Sequence, residues 1–123
     1  RVLRAVDIIL RRGVVDIVLL GDKEQIRENY LRIGLDLSSA KIIDHRKSEL
    51  MDSFVDKFYE MRKAKGLSYI AAKDAMLHKN YFATMIVYCG YVDGMVSGAT
   101  HSTSDTIRPA LQIIKTKPNI SVV

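Results

Sequence analysis

Residues 14–21 read VVDIVLLG, a nearly continuous run of β-branched residues and leucine that a glycine closes. Such a run is typical of a strand buried on both faces of a parallel sheet. Upstream, residues 2–12 carry apolar side chains at helical spacing and end in two arginines before Gly13, which is typical of the C-terminus of a helix. Downstream, Asp22 and Gln25 have the spacing of a capping box at the start of a second helix. Helix, strand and helix in this order indicate an α/β protein.

The same alternation continues along the chain. Residues 40–44, AKIID, predict a second strand, and residues 92–98, VDGMVSG, predict another inner strand. Apolar spacing and cap residues predict four further helices, at residues 50–65, 68–77, 80–89 and 106–115. The core face of the last helix is expected to comprise Ile107, Ala110, Leu111 and Ile114. The fold class predicted is α/β, a mostly parallel sheet with helices on both faces, in a single partial domain over residues 1–123.

Composition bounds the class of protein. Apolar residues make up 48% of the 123 residues and charged residues 27%, which is ordinary for a globular domain and excludes the low hydrophobicity of disordered chains. No apolar run approaches the roughly 20 residues that cross a bilayer, and the N-terminus lacks a signal-peptide cleavage site, so we expect a cytoplasmic protein and no membrane partner. The chain begins with arginine inside a helical pattern and ends in an apolar run, NISVV. We interpret it as a fragment.

Small polar residues are concentrated where the strand predicted at 92–98 gives way to the last helix. A glycine-bearing loop that enters a helix presents unpaired N–H groups, and the helix dipole favours an anion there. Arg108, one helical turn after Ser104, can point a forked guanidinium back at the same place. The candidate phosphate-binding residues of this segment are Ser97, Gly98, His101, Ser102, Thr103, Ser104 and Arg108.

A simpler interpretation stays open at this point. Serine, threonine and aspartate are the residues that cap helices and form turns, and each one taken singly fits a cap better than a ligand. The segment matches neither the Walker loop nor the spaced glycines of a dinucleotide fold. Pro109 should either kink the first turns of the last helix or delay its start, since proline removes one backbone hydrogen bond.

Four segments together carry a resemblance to a known family. Residues 92–116, VDGMVSGATHSTSDTIRPALQIIKT, resemble the signature segment of phosphate acetyltransferases, which interconvert acetyl-CoA plus phosphate with acetyl phosphate plus CoA. Three upstream segments resemble N-terminal segments of the same family in the same order: AVDIILRRGVVDIVLLGD at 5–22, LDLSSAKIID at 35–44 and FYEMRKAKGLSYIAA at 58–72. The similarity covers essentially the whole chain.

The resemblance implies an enzyme of acetate metabolism, a homodimer with two α/β domains, a fold like that of isocitrate and isopropylmalate dehydrogenases, and an active site in the interdomain cleft. Arg62 and Arg108 match two functional arginines that are implicated in holding CoA and phosphate. CoA is then a substrate, and no tightly bound cofactor or metal is expected. The chain corresponds to the N-terminal portion of the family, and the residues around the reacting thiol lie outside it. We therefore assign no catalytic residue and expect residues 1–123 to be inactive alone.

Two alternatives stay open beside acetyl transfer. Phosphate butyryltransferase is similar in sequence, and related domains fused to malic enzymes bind acyl-CoA as regulatory modules. A nucleic-acid partner is disfavoured, because the net charge of +5 is scattered and only RKAK at 62–65 clusters. His45 and His78 are expected on the surface, and Cys89 is expected to be a small buried hydrophobe with no flanking cation.

Overall fold

The computed structural model describes residues 1–121, and the chain divides into two compact units between Ser48 and Glu49. The first unit contains α1 (Val2–Arg12), β1 (Val18–Leu20), α2 (Lys23–Arg32), β2 (Lys41–Ile43) and one turn of 3₁₀ helix (His45–Lys47). The second unit contains α3 (Met51–Arg62), a 3₁₀ turn (Lys63–Lys65), α4 (Tyr69–Met76), α5 (Lys79–Tyr88) and α6 (Thr103–Ile113). Among the described residues, no helix has both the length and the apolar character needed to cross a membrane.

The helix ends of the first unit are set by local chemistry. Gly13 ends α1 in the left-handed conformation, at φ 63°, and its N–H donates to the carbonyl of Leu10. The carboxylate of Asp22 accepts a hydrogen bond from the N–H of Gln25 at 2.8 Å and so begins α2. Both predicted helix ends are confirmed, because a cap requires only residues that are close in sequence.

The sheet of the first unit is a parallel pair of strands joined through α2. Val18 lies opposite Lys41, and Leu20 lies opposite Ile43. Backbone bonds extend the pairing at both ends, from the N–H of Lys41 to the carbonyl of Ile17 at 2.9 Å and from Gly21 to Ile43 at 3.0 Å. The helix-rich α/β class with a small parallel sheet is thus confirmed.

The first strand is shorter and less buried than VVDIVLLG suggested. Val14 and Val15 are 71% and 54% exposed, because residues 13–15 form the turn by which the chain leaves α1. All three residues of β1 are only partly buried. The core of this unit instead centres on Val6, Tyr30 and Leu37, against which Leu19 of β1 packs.

The second unit has an aromatic core. The rings of Phe54 on α3 and Phe82 on α5 lie 5.0 Å apart between centroids, in a tilted arrangement. Phe54 and Phe58 are both fully buried on α3. Gly66 ends the following 3₁₀ turn at φ 88°, and the hydroxyl of Ser68 caps α4 by accepting from the N–H of Ala71 at 3.1 Å. The helices predicted at residues 50–65 and 68–77 are thus confirmed.

The strand predicted at residues 92–98 is wrong. This segment is an irregular connection between α5 and α6, and Val96 on it is fully exposed. A strand needs a neighbour to satisfy its N–H and C=O groups, and the described part of the second unit, residues 49–121, contains helices only. The apolar run therefore stays an extended loop.

The predicted core face of α6 is wrong at three of its four residues, and the fourth, Ala110, is half-buried. Ile107, Leu111 and Ile114 are 46%, 40% and 48% exposed, whereas Pro109 and Ile113 are buried. Pro109 does not delay the helix, which begins at Thr103 and continues through the proline to Ile113. The buried face is chosen by contact with α5, and apolar spacing on α6 alone could not reveal that contact.

Candidate anion-binding site

Ser102 is the N-cap of α6, and its hydroxyl is fully engaged by Asp105. The oxygen accepts a hydrogen bond from the N–H of Asp105 at 3.1 Å, and the hydroxyl donates to the Asp105 carboxylate at 2.6 Å. The hydrogen bond from Ser102 holds the pKa of the Asp105 carboxyl below its usual value. For Ser102 the capping interpretation is therefore right, and the helix begins with a stably ionised carboxylate.

Ser97 is likewise engaged with the protein. Its hydroxyl donates to Oδ1 of Asn80, on the first turn of α5, at 2.6 Å. The next residue, Gly98, has φ 106°, a backbone conformation that residues with a Cβ rarely adopt. Beyond it, Oγ1 of Thr100 lies 3.5 Å from Nδ1 of His101, and both residues are exposed. The loop is thus tied at Ser97 and opens toward solvent after Gly98.

Arg108 points back along α6, as its spacing from Ser104 predicted. Its Nη2 donates to Oγ of Ser104 at 3.0 Å, so Ser104 accepts and keeps its own O–H proton available. Both side chains line an open recess of about 270 Å³, together with Thr103, Ile107 and Leu111. Two hydroxyls and one guanidinium meet there beside the N-terminus of a helix, which is suitable chemistry for an anion.

The charges of Arg62 and Arg108 both act on the hydroxyl of Tyr81. Burial raises the pKa of the Tyr81 hydroxyl, while the positive charges of Arg108 and Arg62 oppose that rise. Both guanidinium groups therefore lie near enough to the Tyr81 hydroxyl to act on it, although 46 residues of sequence separate Arg62 from Arg108. The structure brings these two candidate residues into one region of the second unit.

The sequence pattern did not single out Asn80 or Tyr81, and the helix predicted at residues 80–89 placed Asn80 at its first position. The cap of that helix is His78, without a side-chain bond, and Asn80 lies inside the first turn, 6% exposed. One signal was present in the sequence: Pro109 leaves the carbonyl of Asp105 without its helical donor. That carbonyl needed a partner from elsewhere in the fold.

Histidine and cysteine positions differ in part from expectation. His78 is exposed, as expected, whereas His45 is only 3% exposed because the 3₁₀ turn after β2 turns it inward; the surface prediction for His45 is wrong. Cys89 is half-buried, and Nζ of Lys57 lies 3.6 Å from its Sγ. The cation comes from 32 residues away, so the expectation of no flanking cation is also wrong.

Within residues 1–121 no group of three or more histidine, cysteine, aspartate or glutamate side chains could hold a metal ion.

This chain belongs to the phosphate acetyl/butaryl transferase family, whose sequence pattern it matches over residues 1–123. It is 48% identical over 123 residues to a phosphate acetyltransferase of Thermoanaerobacterium thermosaccharolyticum and 47% identical to one of Helicobacter pylori. Among solved structures it is similar to a phosphotransacetylase from Staphylococcus aureus, with a TM-score of 0.87 and 42% identity over 98% of this chain. A phosphotransacetylase from Streptococcus pyogenes gives a TM-score of 0.89 and 40% identity over 98% of this chain.

The matches cover only part of each relative. The chain corresponds to 37% and 24% of the lengths of the two curated relatives, and to 36% of each of the two solved chains. It therefore spans well under half the length of the proteins it matches.

Proposed function

We propose that this chain supplies part of the CoA and phosphate site of a phosphate acetyltransferase. The reaction is the reversible transfer of an acetyl group between CoA and inorganic phosphate. The observation that carries the proposal is the recess in which Arg108, bonded to Ser104 at 3.0 Å, lies beside Thr103 at the start of α6. Acetyl transfer is favoured over butyryl transfer by the names of the relatives, each of which is a phosphate acetyltransferase.

Within this site the residues have different proposed roles. Thr103, Ser104 and Arg108 contact the phosphate group directly, since they line the recess. Arg62 holds a second negative group of the substrates from the end of α3. The remaining candidates, Ser97, Gly98, His101 and Ser102, shape the loop that borders the recess.

The chemistry explains the need for fixed donors. The sulfur of CoA attacks the acetyl carbonyl of acetyl phosphate, a C–S bond forms, and the C–O bond to phosphate breaks. Holding the phosphate in place converts an encounter of two molecules into a local reaction. As the carbonyl carbon becomes tetrahedral, its oxygen gains negative charge, which fixed N–H, O–H and guanidinium donors stabilise. The thiol proton goes to a base that we assign to no residue of this chain.

The finer features of the family follow as proposals. The chain is a single partial α/β domain, the N-terminal portion of a homodimeric cytoplasmic enzyme of acetate metabolism with helices on both faces of its sheet, and its fold is like that of isocitrate dehydrogenase. CoA acts as a substrate, and no tightly bound cofactor is needed. Residues 1–123 alone should bind weakly and should not turn over.

The test is an assay of the full-length protein that carries this chain. Acetyl phosphate and CoA are supplied, and formation of the thioester is followed by its ultraviolet absorbance. We expect Arg108→Ala to lower kcat/KM for acetyl phosphate by roughly 10²-fold, the scale of losing one preorganised donor. Arg27→Ala, which removes another exposed guanidinium, on α2, is the matched control and should retain wild-type activity. A rate for Arg108→Ala equal to that of the control would refute the assignment.

Acyl preference is measured in the same assay with butyryl phosphate. A higher kcat/KM for acetyl phosphate is expected, and a higher value for butyryl phosphate would assign the chain to butyryl transfer. Residues 1–123 expressed alone should give no thioester. Turnover by that shorter chain would contradict the proposal that other parts of the protein complete the site.

A further inference from the structure

We infer that Asn80 is a positioning residue, whose buried carboxamide fixes the substrate-binding loop against α6. This inference rests on the proposed function, because the loop matters for activity only if the recess binds substrate. Asn80 itself is 6% exposed, so it acts through the groups that it holds rather than by contact with a substrate.

The first arm of the carboxamide reaches α6. Nδ2 of Asn80 donates to the backbone carbonyl of Asp105 at 3.1 Å. In an unbroken helix that carbonyl would accept from the N–H of residue 109, four positions later, but residue 109 is proline and has no N–H. Asn80 therefore supplies the donor that the helix lacks, and in doing so binds the first turn of α6 to α5.

The second arm of the carboxamide reaches the loop. Oδ1 of Asn80 accepts from the hydroxyl of Ser97 at 2.6 Å, so a single side chain holds both ends of the segment between Ser97 and Asp105. Gly98, with φ 106°, immediately follows the tied serine. The exposed residues 98–104 thus lie between two positions, Ser97 and Asp105, that the carboxamide of Asn80 holds by hydrogen bonds.

Asn80 is itself held in place by the rest of α5. The backbone carbonyl of Asn80 accepts a hydrogen bond from Oγ1 of Thr84 at 2.7 Å. Oγ1 of Thr84 also lies 3.4 Å from the sulfur of Met95 in the loop. Thr84 is completely buried. The loop therefore contacts α5 at Met95 as well as at Ser97, and the amide has a rigid support.

The consequence concerns the recess. Thr103 and Ser104 begin α6 directly after the tied segment, and Arg108 lies one turn further on. A displacement of the first turn of α6 would move both hydroxyls and the guanidinium together, and a displacement of about 1 Å in a positioned group is enough to reduce catalysis strongly. Loss of the amide should thus weaken acetyl phosphate binding although Asn80 does not contact the substrate.

The experiment separates positioning from simple stabilisation by means of Pro109. In the full-length protein we compare Asn80→Ala, Pro109→Ala and the double variant, measuring the thermal midpoint Tm and the KM for acetyl phosphate. Asn80→Ala should lower Tm and raise KM about tenfold. Adding Pro109→Ala provides the helical N–H for the Asp105 carbonyl, so Tm should recover in part. KM should stay high, because the hydrogen bond from Ser97 to residue 80 is still absent. Recovery of KM together with Tm would overturn the inference.

Ser97→Ala is an independent test that remains available if Asn80→Ala fails to fold. It removes only the bond to Oδ1, and we expect a raised KM with little change in Tm, whereas Ser97→Thr, which keeps the hydroxyl, should restore KM. A wild-type KM in Ser97→Ala would overturn the inference.

A second readout keeps this inference distinct from the proposed function. Inorganic phosphate is titrated into the wild type and into Ser97→Ala, and the amide resonances of residues 98–104 are followed by NMR. Weaker phosphate binding in Ser97→Ala supports positioning by Asn80 even if the wild type fails to transfer acetyl groups, a result that would refute the proposed function alone. Equal phosphate affinities would overturn the inference whatever the activity.

Discussion

The hydroxyl of Tyr81 on α5 donates to Oε1 of Gln112 on α6 at 2.9 Å. The ring of the same tyrosine packs against Phe58 of α3, with 5.5 Å between the ring centroids. One side chain therefore joins the helix that ends in Arg62 to the helix that carries Arg108. Tyr81 thus links α3, α5 and α6 through one ring contact and one hydrogen bond.

Tyr81→Phe keeps the ring and removes the bond to Gln112. We expect a loss of stability of about 1 kcal/mol, the usual net value of one hydrogen bond, in the unfolding free energy measured with urea. Tyr88→Phe is the matched control, since that tyrosine is 52% exposed, and it should change stability by less than about 0.5 kcal/mol. Equal effects of the two changes would contradict the structural role of Tyr81.

The Tyr81 hydroxyl also predicts a pH dependence. Its pKa is raised in the folded state, first by burial, so the protonated form is favoured by folding. The associated stabilisation is fully present below the unfolded value of about 10 and is lost as pH rises through the higher folded value. Tyrosine ionisation can be followed by ultraviolet absorbance. We expect the wild-type curve to contain a late-titrating group that is absent from the curve of Tyr81→Phe. Because the pKa of Tyr69 is raised as well, the difference between the two curves is decisive: identical late portions would disprove this.

Ser102→Ala should destabilise α6 by about 1 kcal/mol, because the N-cap hydroxyl is lost. It should also raise the pKa of Asp105, whose carboxyl is held low chiefly by that hydroxyl. The stabilisation from a lowered carboxyl pKa is present above the unfolded value of about 3.9 and disappears as pH falls through the folded value. NMR titration of the Asp105 carboxyl carbon measures the shift. Ser102→Thr, which keeps a hydroxyl, should leave the Asp105 pKa low; an unchanged pKa in Ser102→Ala would be contrary to expectation.

Gly98→Ala tests the backbone of the loop. A Cβ on Gly98 would meet only Oγ1 of Thr106 at 3.7 Å, an ordinary contact, so the cost comes from the φ of 106°. We expect a loss of about 1–3 kcal/mol, the range for strained backbone conformations, measured by thermal unfolding. Gly94→Ala, where φ is not in that region and a Cβ would meet nothing within 4 Å, should cost much less. Equal losses at both glycines would show that the loop does not require this conformation.

Arg62→Ala tests the second arginine of the site in the full-length protein. We expect its KM for CoA or acetyl phosphate to rise about tenfold, equivalent to about 1.4 kcal/mol of binding free energy. Lys65→Ala removes an exposed cation from the same basic run and should change KM by less than about twofold. Comparable effects from the two substitutions would mean that only the overall charge of the run matters.

Helix ends were predictable because their chemistry is local. Gly13, Asp22 and Ser68 each satisfy backbone groups no more than three residues away. The return of Arg108 to Ser104 was predictable for the same reason, since residues four apart in a helix share one face.

The strand at residues 92–98 and the face of α6 were not predictable in this way. Both depend on which elements lie alongside them: a strand requires another strand, and a buried helix face requires a neighbouring helix. Apolar spacing made Ile107 and Leu111 equal candidates for the core, and packing against α5 left them exposed.

By itself the sequence determined the helices, the parallel pair of strands, the family, and the polar loop with its arginine. Each of these could be recognised from short continuous segments of the chain. Tertiary structure alone decided that Asn80 joins Ser97 to Asp105 across separations of 17 and 25 residues, and that Tyr81 of α5 contacts both α3 and α6. These relations arise only on folding, because polar groups that are buried away from water must form hydrogen bonds with other groups of the protein.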